Sequence, residues 1–218
     1  MVRIERRYIA LIADVVGSRS VPRIQRRALQ HRFTHVIDDF NLKYSKMIAA
    51  KFGLLNSAAV VPDLIWRLEE DLPGYDFRVG IGAGTLDRPA QKYAINIDGP
   101  ALHMARSAIE SAKKTGTLGG VFPGFGELDD ILNGIARLLW FQRSRWTRAQ
   151  RRIAGLLRQG MSQTQVAKKL RIRKQVVSRQ VLSSGYFPYA AGDWAWRMIL
   201  DKQVDPLLRS KHGFSQRR

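Results

Sequence analysis

Between Ser162 and Arg179, eighteen residues carry Ser162, Gln163, Lys168, Lys169, Arg173, Lys174, Gln175, Ser178 and Arg179, nine cationic or hydrogen-bonding side chains suited to a polyanion. Arg bonds the guanine edge, Gln the adenine edge and Ser either, while Lys neutralises phosphate. Arg179 follows Gln175 by four residues, so on a helix both project from one face and enter one groove. Lys168 and Lys169 fall on the preceding segment and, with Arg173, are assigned to phosphates. Ser162 and Gln163 open that segment, where free backbone N–H groups hold phosphate. These nine are the expected DNA-binding set.

Two short helices at a steep angle must position them. Ser162 caps the first, with Gln165 at the capping-box position three residues on. Val166, Ala167 and Leu170 are its apolar face, and Ala167 is the small residue that lets a second helix cross. Ile172 is expected to bury in the turn, and Val177 and Val181 to dock the second helix. Arg171 occupies the place after Leu170 where a left-handed residue is often glycine, at a cost of about 1 kcal/mol. Upstream, Trp146–Arg158 reads as a helix with Ile153, Leu156 and Leu157 on one side, stopping at Gly160. Downstream, Trp194 and Trp196 lead into Met198, Ile199 and Leu200, a final helix packing on the others. The pattern predicts a helix-turn-helix. Its competitor is a helical packing unit, or a protein-binding module, with solvated cations.

Charge separates the chain into two parts. Of its 37 Lys and Arg and 18 Asp and Glu, residues 137–218 hold 19 and 3. So one-sided a field is matched by nucleic acid or an anionic membrane surface. With no cysteine, disulfides, thiol catalysis and Cys-ligated zinc are excluded. The apolar run Tyr8–Val16 contains Asp14 and reads as a buried strand rather than a leader; no run is long enough to span a bilayer. The expected location is the cytoplasm.

The N-terminal part reads as β-α-(β)-α-β-α: a strand at Tyr8–Val16, a helix from Pro22 to about Tyr44, a short strand within Lys46–Leu55, a helix at Val60–Leu72, a strand at Asp76–Leu86 and a helix at Gly99–Lys114. TGTLGGVFPGFG at 115–126 marks the expected boundary. His31 and His35 are one turn apart beside Asp38 and Asp39, a spacing that suits a metal, but the four are assigned to a solvated face because no further His completes a site. Gly80, Gly82 and Gly84 are assigned to close packing, not to a phosphate loop. Asp98 is expected to cap the helix after it.

YIALIADVVGSR at 8–19, RVGIGAG at 78–84, IDGPALHMAR at 97–106 and SRWTRAQRRIAGLLRQGMSQTQVAKKL at 144–170 together resemble the SatD family of bacteria. The last stretch also resembles the helix-turn-helix domains of bacterial transcription regulators, including those related to sigma-factor region 4. ADVVGSR is similar to the first strand of class III nucleotide cyclases, a resemblance that would make Asp14 a metal ligand. Family members carry Gly-Asp-Glu-Phe-Gln in the next strand, whereas KFGLL at 51–55 lacks those carboxylates. Two-metal chemistry needs carboxylates from two strands to hold ions about 4 Å apart. The resemblance therefore implies an α+β protein with a degenerate ferredoxin-like or cyclase-like α/β sandwich at 1–118, a linker and connecting helix at 119–136, and an all-α helix-turn-helix domain at 137–218. The expected function is a transcriptional regulator binding double-stranded DNA, with no catalytic residues, metal or cofactor, and with residues 1–118 serving sensing or dimerisation. A homodimer and an effector of unknown identity are compatible with it. The alternatives are a nucleotide-binding or cyclase-like enzyme with a basic tail, and a protein-interaction module.

Overall fold

A computed structural model describes residues 7–17, 22–44, 48–49, 52–55, 57–71, 76–87, 98–116 and 119–209. The fold is α+β and divides into two compact units, residues 1–136 with 197–218, and residues 137–196.

The first unit is built on a sheet of β1 (Tyr8–Val15), β2 (Ile48–Ala49), β3 (Phe52–Leu55), β4 (Phe77–Gly84) and β5 (Gly119–Val121). Strand order is β2-β3-β1-β4-β5, antiparallel except for the parallel β4–β5 pair. β1 is central and paired along its whole length with β4, which explains its nearly continuous apolar sequence; Ile9 and Ala10 are fully buried. Helices α1 (Arg23–Tyr44), α2 (Val61–Asp71) and α3 (Pro100–Thr115) complete the layer architecture, and α3 packs on β4 and β1. The expected single strand within Lys46–Leu55 is thus a pair, β2 and β3.

The three glycines of β4 set the distance between α3 and the sheet. A Cβ on Gly80 or Gly82 would overlap the backbone of Ala105, and one on Gly84 would lie 2.7 Å from the Ala101 nitrogen. Ala101, Ala105, Ala108 and Ala112 supply the matching small face of α3, all buried. The close-packing assignment of these glycines therefore holds, for the reason that helix backbone lies directly on strand backbone.

Three expectations change. Residues 119–126 do not form a linker: β5 extends the sheet, Phe122 and Phe125 are 0% and 1% exposed, and their rings meet edge to face at 5.8 Å. Asn133 accepts from the Phe122 N–H at 2.8 Å and donates to its carbonyl at 3.1 Å, while Asp129 accepts from the N–H groups of Phe125 and Gly124. Burial pushes the Asp129 carboxyl up, and those two backbone donors oppose the shift. Glycine here serves a tight path between buried aromatics, with Gly124 at φ 89° and Gly126 at φ 66°. Asp98 does not cap α3. Gly99 stands at the N-cap with φ 145°, and Asp98 accepts from the Gly99 N–H at 2.9 Å and meets His103 at 3.2 Å.

The third change is at the C-terminal end, where residues after Trp196 belong to the first unit rather than to the basic one. Asp205 is 5% exposed and accepts from the Ala58 N–H at 2.6 Å and the Ser57 hydroxyl at 2.5 Å; Arg197 makes a two-point pair with Asp63 at 2.7 and 3.0 Å.

The second unit is helical. It takes the end of α4 (Asp129–Ser144), then α5 (Arg148–Arg158), α6 (Gln163–Leu170), α7 (Lys174–Ser183) and most of α8 (Tyr186–Ile199); a π-helical turn at Leu200–Val204 and α9 (Asp205–Arg209) follow. Among the described residues no helix is long and apolar enough to cross a membrane.

Candidate nucleic-acid interface

Helices α5, α6 and α7 close on one core of Ile153, Leu156, Val166, Ala167, Val177 and Val181, with Leu157, Met161, Leu170 and Tyr186 packed against it. Val166 and Val177 are fully buried, and Ala167 is 6% exposed, the small side chain against which two helices approach. The starts of α5 and α6 are fixed by reciprocal caps, whereas Arg173 at the start of α7 makes no side-chain cap. Ser162 accepts from the Gln165 N–H at 3.3 Å while Gln165 accepts from the Ser162 N–H at 2.8 Å, the expected capping box. Thr147 and Gln150 repeat it at the start of α5, a box the spacing Thr-x-x-Gln also offered but which the sequence reading passed over.

Three residues, Arg171 to Arg173, connect α6 to α7. Arg171 has φ 55° and ψ 43°, the one non-glycine among the described residues with positive φ. Its N–H reaches the Lys168 carbonyl at 3.3 Å, and the next N–H, of Ile172, reaches the Ala167 carbonyl at 3.0 Å. That is a Schellman closure, which satisfies two end carbonyls and turns the chain sharply. Ile172 departs from expectation. It is 38% exposed and is not among the side chains packed on the core of α5, α6 and α7.

Of the nine expected site residues, Ser162, Lys168, Lys169, Arg173, Lys174, Gln175 and Arg179 are exposed; Gln163 and Ser178 are half-buried. Val177 and Val181 turn one side of α7 to the core, which aims Gln175 and Arg179 outward together. Val176, 44% exposed, lies on this outer side.

The electrostatics of the unit follow from one burial. Residues 137–196 hold thirteen Lys or Arg and a single acidic residue, Asp193. Asp193 is 7% exposed and meets Arg158 at 3.4 Å, so no carboxylate faces solvent to offset the cations. Beside this pair, Arg143 is buried and donates to the Tyr189 hydroxyl at 3.3 Å. Burial pulls the Arg143 guanidinium below its ordinary value and pushes the Tyr189 phenol above its own. Tyr189 also stacks edge-on with Trp146 at 4.8 Å, and Trp146 and Gln142 donate to the Ser184 carbonyl at 2.7 and 2.6 Å, pinning the end of α7. Sequence reasoning missed this polar base; its signal was a lone aspartate among thirteen cations. Trp196 is buried, as a final packing helix requires, whereas Trp194 is exposed.

In the first unit, Asp14 on β1 stands opposite Arg78 on β4, with their charged groups 3.7 Å apart. Its cross-strand neighbour there is a cation. His31 and His35 are exposed and line an open cleft of about 490 Å³ with Arg32, Arg67, Glu70 and Asp71. Asp71 pairs with Arg67 at 2.9 Å, and Glu70 accepts from the Trp66 indole at 2.8 Å. The side chains of Asp38 and Asp39 lie outside the described residues. Among the described residues no three His, Asp or Glu side chains are grouped for a metal ion.

A mixed-sheet unit with helices, joined to a helical unit rich in exposed cations, defines an α+β protein of two parts. Residues 8–190 match the model of the SatD family, and the chain belongs to that family. The match includes the sheet and the chain from α4 into α8. No curated protein and no solved structure matches the chain.

Proposed function

We propose that this chain is a DNA-binding transcriptional regulator that reads double-stranded DNA through a helix-turn-helix, with α6 crossing the backbone and α7 in the major groove. The observation that carries the reading is the outer face of α7: Gln175 and Arg179 project together from a unit whose one carboxylate is buried. Base-reading side chains on a rigid helix, ringed by Lys168, Lys169, Arg173 and Lys174, meet both needs of a duplex reader, position on phosphate and contact with base edges. A module docking on an acidic protein would need the cations but not a paired Gln and Arg.

The first unit serves sensing or dimerisation on a degenerate ferredoxin-like, cyclase-like scaffold. The antiparallel order β2-β3-β1-β4 after a β-α-β-β-α-β succession supports that scaffold. The Arg78 guanidinium opposite Asp14 supports its degeneracy, since it takes the charge that a catalytic metal would need. In this reading the protein acts in the cytoplasm without catalysis or cofactor, and both a homodimer and an effector are compatible with it. Selection from random duplexes by the purified chain tests the reading: an enriched sequence with steep salt dependence is expected. Absence of duplex binding at about 50 mM salt, where phosphate contacts are strongest, would end it. Incubation with ATP or GTP and a divalent metal is expected to give no cyclic nucleotide; product that vanishes in Asp14→Ala would overturn the non-catalytic reading.

A further inference from the structure

We propose that the α7 surface recognises thymine, with Ile172 and Val176 packing on the C5-methyl groups of thymines in the major groove. The inference rests on the duplex reading above and names the bases it selects. Ile172 and Val176 are 38% and 44% exposed, whereas Val177 and Val181, one position away from Val176 and one turn further, are buried. Val176 lies beside Gln175 and one turn before Arg179, on the surface of the base-reading pair, and Ile172 is exposed in the connection that leads into that helix. Exposed cations flank them along the chain: Arg171, Arg173, Lys174 and Arg179.

Exposed aliphatic side chains interleaved with exposed cations, in a unit with no exposed carboxylate, fit a partner that offers both anionic and apolar groups. Among duplex base pairs, only those with thymine present an apolar group in the major groove, beside the acceptor and donor edges that Arg and Gln bond. Both side chains are β-branched and hold few χ1 rotamers, so little side-chain entropy is lost when they meet a methyl group. The same contact discriminates against RNA, whose uracil lacks the methyl and whose major groove is too deep and narrow for a helix.

The test uses the full chain, a duplex enriched from a random pool, and the same duplex with each thymine replaced in turn by uracil. Only a methyl group is removed and the protein is untouched, so folding does not enter. Affinity is expected to fall about fourfold at each contacted thymine, and Ile172→Ala/Val176→Ala is expected to abolish that difference while binding stays salt-dependent. Equal affinity for thymine and uracil duplexes, with salt-dependent binding intact, overturns the inference and leaves the duplex reading standing. A thymine preference that survives in the double variant overturns it as well. If no duplex binds at about 50 mM salt, the duplex reading falls and the inference with it.

Discussion

Asp193 is the residue on which the charge balance of the helical unit turns. Its carboxylate sits 3.4 Å from Arg158, with the buried Arg143 close enough to feel its field. Removing one partner of a buried pair leaves the other charge uncompensated, which costs about 3 to 5 kcal/mol. Asp193→Asn is therefore expected to lower unfolding stability by about 3 kcal/mol in denaturant titrations, and a loss under about 0.5 kcal/mol would mean that solvent already screens the pair. At the outer face the expected effects are on binding. Arg179→Ala should cost about 1 to 3 kcal/mol at the preferred duplex and relax its specificity, whereas Lys169→Ala should weaken all sequences alike and reduce the salt slope by roughly 1. Equal weakening of every sequence by Arg179→Ala would move the reading face elsewhere.

At the scale of elements, the α6–α7 connection carries a conflict between local preference and position. Arg171 holds a left-handed conformation that costs a non-glycine residue about 1 kcal/mol, within a closure that glycine usually makes. Arg171→Gly is expected to stabilise the chain by about 0.5 to 1 kcal/mol in thermal unfolding, and to weaken duplex binding uniformly because an exposed cation at the turn is lost. A gain in stability with unchanged affinity would show that Arg171 has no phosphate contact; a loss of stability would show that its side chain supports the turn. The stretch Gly119–Leu128 teaches the converse. Its glycines look like a hinge by composition, yet Asn133 and Asp129 hold it by four hydrogen bonds between side chain and backbone.

For the molecule as a whole, the first unit is assembled from both ends of the chain. Asp205 closes it, accepting from Ala58 and Ser57 across 147 and 148 residues of sequence. Asp205→Ala leaves a buried N–H without its acceptor, so a loss of about 1 to 3 kcal/mol is expected; denaturant unfolding followed at a probe in the sheet would register it. Asp205→Asn, which keeps one acceptor oxygen, should lose less, and equal losses in the two variants would assign the effect to charge. A practical consequence is that a fragment ending at residue 196 would lack both this closure and the Arg197–Asp63 pair.

The sequence by itself determined the elements and the character of the surface. Apolar spacing placed α1, α2 and α3 close to their observed bounds, Ser162 with Gln165 announced a cap, and the charge division foretold a cationic helical unit; each depends on neighbours within a few residues. Tertiary structure decided what depends on distant partners. β5 extends the sheet because β4 offers a parallel edge, and residues 197–209 join the first unit because Ala58 and Asp63 present a donor and a carboxylate there. Ile172 stays exposed because the core of α5, α6 and α7 closes on Val166, Ala167, Val177 and Val181 without it. Asp193 is silent in a helix pattern and becomes central only when Arg158 is brought beside it, since periodicity records which face is apolar and not which charge will meet it.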